Sequence, residues 1–73
     1  MMNGRVSVTV LPSIGDARRW KVALEGETEI VEVSGNLWAM LRSPYEIHEF
    51  LSAQYTAAAQ RIQERLRERG RNG

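Results

Sequence analysis

The single histidine is the first place to look for catalytic or metal-binding chemistry in this chain. His48 lies close to Glu46 and Glu49, and these residue types can transfer protons or ligate a metal. On a helix, however, successive residues are turned by about 100°, so the two glutamates project from different sides and the three groups do not converge. A metal site also needs more ligands than one histidine, and the chain has no cysteine. We therefore expect no metal site.

Other motifs that carry chemistry are missing from the sequence as well. There is no glycine-rich phosphate loop, and no Ser, Asp and His have the spacing of a known triad motif. We expect no catalytic residue and no cofactor, and we interpret the chain as a non-enzymatic protein.

Charge is distributed in three blocks that nearly cancel. The net charge is only +1, but the first and last thirds are basic and the middle third is acidic. Two clusters are candidate partner-binding surfaces, an acidic hairpin and the arginine-rich end of a helix. Their residues are Glu25, Glu27, Glu29 and Glu32 in the hairpin, and Arg61, Arg65 and Arg69 in the helix.

The arginines recur every four residues, so they share one side of a helix and drift onto its apolar side. That part of the helix either projects beyond the body of the protein or contacts an acidic partner. One alternative is a nucleic-acid-binding module, although a binder of this size is usually basic overall. Another is a solvated helix end, where the helix dipole favours cations.

The elements that must position these charges begin with three predicted strands. Val6, Val8 and Val10 alternate with polar residues, which predicts a half-buried first strand over 5–11, followed by a loop over 12–16. A second strand over 18–25 has Trp20 and alternating apolar residues on one face. Gly26 and Glu27 suggest a type II′ turn, in a register that pairs Val22 with Val31 and Lys21 with Glu32.

Two helices come after the strands. Ser34-Gly35-Asn36 ends the third strand and offers a cap for a short helical turn over 37–41, in which Leu37 and Leu41 would close the core and Trp38 could point outward. Ser43-Pro44-Tyr45-Glu46 is a capping-box sequence that starts a long amphipathic helix, and this helix is expected to end near Gly70.

The sequence therefore predicts one small α+β domain over 1–73, a three-stranded antiparallel sheet with a short helix and one long C-terminal helix (β-β-β-α-α). The predicted core consists of Val6, Val8, Val10, Trp20, Val22, Leu24, Val31, Val33, Leu37, Leu41, Ile47, Leu51, Tyr55, Ala58 and Ile62.

A homodimer is expected from the lengths of these elements. A helix of about 26 residues is ~39 Å long, whereas seven-residue strands span ~23 Å, so one sheet leaves part of the helix uncovered. A second copy would cover the remaining apolar stripe, formed by Tyr55, Ala58, Ile62 and Leu66. Strand one is also exposed enough on its polar side, and long enough, to pair with its twin.

A small chain of this kind, with charge blocks, no cysteine and no catalytic motif, resembles the small phage-encoded accessory proteins of the anti-CRISPR and other anti-defence type. The resemblance implies an inhibitor that occupies a host protein or sequesters a small ligand, and it assigns no individual residue. No apolar run is long enough for a membrane span. We expect a cytoplasmic protein that binds another protein and not a membrane.

Overall fold

The computed structural model describes residues 5–72 of the 73-residue chain, and it confirms the α+β class. Three strands form one antiparallel sheet in the order β1-β2-β3, and two helices come after them. The elements are β1 (Ser7–Ile14), β2 (Ala17–Leu24), β3 (Glu27–Val33), α1 (Gly35–Ala39) and α2 (Pro44–Asn72).

Strand β1 is longer than the sequence predicted. The loop expected over 12–16 is wrong, because the strand continues through Pro12 to Ile14 and only Gly15 and Asp16 form the turn. The pairing with β2 shifts register between Leu11 and Ile14. Proline has no backbone N–H to donate, so it is tolerated in an edge strand at an irregularity of the pairing, where Pro12 lies.

The turn between β2 and β3 consists of Glu25 and Gly26, one residue earlier than predicted. Both residues have positive φ, 51° and 84°, which is the signature of a type I′ turn and not of type II′. The register moves with it, so that Trp20 pairs with Val31 and Val22 with Glu29. The expected pairing of Lys21 with Glu32 is therefore wrong, since Arg19 is the residue opposite Glu32.

Helix α1 is capped by Ser34, whose hydroxyl oxygen accepts a hydrogen bond of 3.2 Å from the Leu37 backbone N–H. The expected roles of its side chains are reversed. Leu37 is exposed, whereas the Trp38 ring packs 5.9 Å from the ring of Trp20, and the Arg18 guanidinium lies 4.5 Å above Trp38. A tryptophan removes more apolar surface from water than a leucine, which favours the inward position for Trp38.

Helix α2 starts where the capping box placed it. The Ser43 hydroxyl accepts a hydrogen bond of 3.1 Å from the Glu46 N–H, and the Glu46 carboxylate accepts one of 2.6 Å from the Arg42 N–H. The sequence predicted an end near Gly70, but the helix passes through this glycine and continues to Asn72, a length of 29 residues. None of the described helices has both the length and the apolar content that a membrane span requires.

The core lies between α2 and the strands β2 and β3. Its buried residues are Trp20, Val22, Leu24, Val31, Val33, Ala58 and Ile62. Leu41, Ile47, Leu51 and Tyr55 are half-buried. The predicted burial of β1 is wrong, since Val6, Val8 and Val10 are exposed by 47%, 41% and 74%. A helix about 10 Å wide covers only two strands spaced ~4.8 Å apart, and α2 lies over β2 and β3.

Candidate functional site

The arginine-rich end of α2 lies on the acidic end of the β2–β3 hairpin. We call this cluster the arginine–glutamate ladder; its members are Arg61, Arg65 and Arg69 from α2, and Glu27 and Glu29 from β3. Arg61 Nε donates to Glu29 Oε1 at 2.9 Å, and Arg69 Nη2 donates to Glu27 Oε2 at 2.5 Å. Arg65 lies between them and contacts both carboxylates.

Hydrogen bonding and charge both favour the ionised form of the ladder. The hydrogen bond from Arg69 holds the pKa of Glu27 below its ordinary value, and the hydrogen bonds from Arg65 and Arg61 lower the pKa of Glu29. The pKa of Arg65 is raised, chiefly by its hydrogen bond to Glu29. Arg65 also donates to the Thr28 backbone carbonyl at 2.9 Å, which fixes the helix against the hairpin backbone.

The structure thus brings together five of the seven residues predicted to bind a partner, and it pairs them with each other. Glu25 lies in the turn, and Glu32 lies on the opposite face of the sheet. The acidic contact expected for the arginines is therefore supplied by the same chain. The sequence carried this signal in two places, the glutamates on the inner face of β3 and the arginines that drift onto the apolar side of the helix.

The residues predicted for a dimer interface are largely used within the chain. Ala58 and Ile62 have no exposed surface, because α2 packs them onto β2 and β3. Tyr55 meets Trp20 edge to face at 6.3 Å, and Leu66 packs half-buried against the core. The premise that the sheet ends before this part of the helix is wrong, since the hairpin and its ladder extend beneath it.

A second surface is left uncovered beside the helix. We call the exposed row formed by Val6, which directly precedes β1, and by Val8 and Val10 on the inner side of β1 the valine face. An open groove of ≈ 360 Å³ separates Val6 from the flank of α2. The helix side of the groove is lined by Tyr55, Thr56, Ala59, Gln60 and Gln63. The alternation in the sequence placed the three valines on one side of the strand correctly, but it predicted them as buried because it could not show that α2 lies to one side of them.

The groups considered for catalysis are dispersed. His48 is exposed, as are Glu46 and Glu49. Among residues 5–72, no three His, Cys, Asp or Glu side chains are close enough to hold a metal ion. Within the same residues every buried side-chain nitrogen or oxygen has a hydrogen-bond partner, so no orphaned polar group points to a missing ligand.

No protein-family model, curated protein or solved structure matches the chain. The resemblance to phage accessory proteins therefore stays a prediction, as does the expectation of a host protein as partner.

Proposed function

We propose that this chain is a non-enzymatic binding protein, and that its working surface is the valine face with the adjoining groove. The observation that carries the proposal is the exposure of three alternating valines on the side of the sheet that forms the core. Exposed apolar side chains that lie next to one another are typical of surfaces that another protein covers. A partner that buried them would gain about 25 cal/mol for each Å² of apolar surface removed from water.

The chemistry of the groove defines the partner. Val6 gives it an apolar side, and its helix side combines Tyr55 and Ala59 with the amides of Gln60 and Gln63. A protein segment with one apolar side and hydrogen-bonding groups at its border fits such a surface. Among residues 5–72, those that line the groove are all uncharged, so the attraction is not expected to depend strongly on salt.

Nucleic-acid binding by the arginine-rich helix receives less support. Arg61, Arg65 and Arg69 are all engaged by carboxylates of the same chain. A phosphate backbone would have to displace Glu27 and Glu29 from these arginines before it could release counterions and gain affinity. Sequestration of a small ligand between protomers stays a prediction that no contact in the structure addresses.

The test is affinity capture from a lysate of the source cells, with Val10→Asp compared with its matched control Ile30→Asp. Both residues are exposed, Val10 on the valine face and Ile30 on the opposite face of the sheet. We expect a nuclease-resistant protein that is retained by the wild type and by Ile30→Asp and lost with Val10→Asp. Equal capture by both variants, or loss of all partners on nuclease treatment, would contradict the proposal.

A further inference from the structure

We infer that the free edge of β1 pairs antiparallel with the same edge of a second copy, which joins two sheets into one of six strands. Within the described residues β1 pairs only with β2, so its other edge presents backbone N–H and C=O groups to water. Such an edge is a template for another strand, and proteins usually protect it with charged side chains. This inference concerns the edge of β1 and does not depend on a partner at its face.

The edge of β1 has no charges to protect it. The strand Ser7–Ile14 contains no charged residue, so two copies can approach without repulsion. The other edge strand is different, because three of the seven residues of β3 are glutamates. Pairing of β3 with itself would have to accommodate the exposed Glu32 and the two carboxylates that hold the arginines of α2 beside this strand. The charges thus favour β1 as the edge that self-associates.

The residue pattern is symmetric about Val8 over the start of β1 and the residues that directly precede it. Reading outward from Val8 in both directions gives a hydroxyl residue and then a valine, since the order is Val6-Ser7-Val8-Thr9-Val10. When two such strands run antiparallel about a twofold axis at Val8, each residue faces one of its own kind. Val6 pairs with Val10 of the second copy, and Ser7 pairs with Thr9.

Both faces of the new contact are therefore chemically matched. On the inner side the valines of one copy lie beside those of the other, which removes part of their exposed surface from water. On the outer side the hydroxyls of Ser7 and Thr9 can hydrogen-bond to each other across the strands. The same symmetry pairs Arg5 with Leu11 of the second copy and not with another arginine. A closed twofold contact of this kind is the commonest form of a homo-oligomer.

The experiment measures mass by light scattering on the full chain over a wide range of concentrations. We expect the mass of the wild type to rise with concentration towards twice the 8.3 kDa of one chain. The double variant Ser7→Lys/Thr9→Lys places like charges opposite each other across the edge and should stay monomeric. So should Ser7→Glu/Thr9→Glu. An equimolar mixture of the two variants should regain the dimer mass, because opposite charges then face each other.

Two controls locate the contact. Thr28→Lys adds an exposed charge to the outer face of β3 and should leave the dimer intact. Because the chain has no cysteine, Val8→Cys can form a disulfide only between copies. The Cα atoms of opposite residues in an antiparallel pair lie about 4.5–5.5 Å apart, within the range of Cα–Cα distances that a disulfide spans. We expect Val8→Cys to form a covalent dimer under mild oxidation and Thr28→Cys to remain without a cross-link.

A wild-type mass of one chain at every concentration would overturn the inference. A dimer that persists in both charged double variants would overturn it too, since another surface would then hold the copies together. If circular dichroism shows that a double variant is unfolded, its monomer mass is not informative and the cross-linking of Val8→Cys becomes the test. A folded Val8→Cys variant that does not cross-link would contradict the pairing. These outcomes are measured on purified protein and are separate from partner capture.

Discussion

Strands β1 and β3 are the two edges of one sheet, and both place alternating valines on the same side of it. Val31 and Val33 of β3 are almost completely buried under α2, whereas Val8 and Val10 of β1 are exposed. The two edges differ in the charged groups that lie beside their valines. On β3 the inner face continues into Glu27 and Glu29, which hold the arginines of α2, while β1 offers the helix no charged group.

The difference shows how the lateral position of the helix is specified. Apolar contacts would be satisfied whether α2 lay over β1 and β2 or over β2 and β3, because each pair of strands carries a valine row. Ion pairs depend on direction and partner, so they favour one placement. The ladder thus favours the β3 side for the helix, and with the helix in that position the valine face lies uncovered.

The largest effect is expected for truncation of the helix residue that the sheet buries most completely. Ile62 has no exposed surface, so Ile62→Ala should lower the free energy of unfolding by about 2–5 kcal/mol through lost burial and the cavity left behind. Urea unfolding followed by circular dichroism measures this change. Val10→Ala is the control on β1 and should change stability by less than about 0.5 kcal/mol. If Ile62→Ala and Val10→Ala lowered the free energy of unfolding equally, the difference in burial between the two edges of the sheet would be contradicted.

An intermediate effect is expected when the same substitution is made at both edges. Val33→Thr puts a hydroxyl into the core at a site with 1% exposure, which costs roughly 1–3 kcal/mol when no partner is available. Val10→Thr places that hydroxyl in water, and threonine suits a strand as well as valine does. The midpoint of urea unfolding should therefore fall for Val33→Thr and stay unchanged for Val10→Thr. A fall at Val10 would mean that this valine is buried in solution.

The sequence predicted the element types well because periodicity and capping are local. The alternation around Trp20 and the capping box at Ser43 both specify short-range geometry, and both were confirmed. The hairpin register was missed because Glu25 adopts positive φ, against its intrinsic preference, so local rules placed the turn at Gly26 and Glu27. The exposure of Val10 was missed for another reason, since periodicity separates two faces of a strand but does not say where a helix will lie.

The smallest effect concerns the ladder itself, because its arginines are well exposed and water screens exposed ion pairs. The directions of the pKa shifts determine how the contribution of the ladder to stability changes with pH. The pKa values of Glu27 and Glu29 are lowered on folding from an ordinary value of 4.5. Their contribution to stability is therefore fully present above that value and is lost as the pH falls through the lower pKa of the folded state.

We expect the double variant Glu27→Gln/Glu29→Gln to melt at a lower temperature than the wild type at neutral pH, and the gap between them to close in acid. Added salt should narrow the same gap at neutral pH, since it weakens the ion pairs of the wild type and screens the repulsion among the arginines that the variant leaves unpaired. Glu32→Gln is the matched control, because Glu32 lies on the outer face of the same strand and belongs to no pair of the ladder. Thermal melts followed by circular dichroism at several pH values provide the measurement. If the double variant and Glu32→Gln lost the same stability, with the same pH dependence, general charge and not the ladder would be responsible, and the placement of α2 over β3 would need another cause.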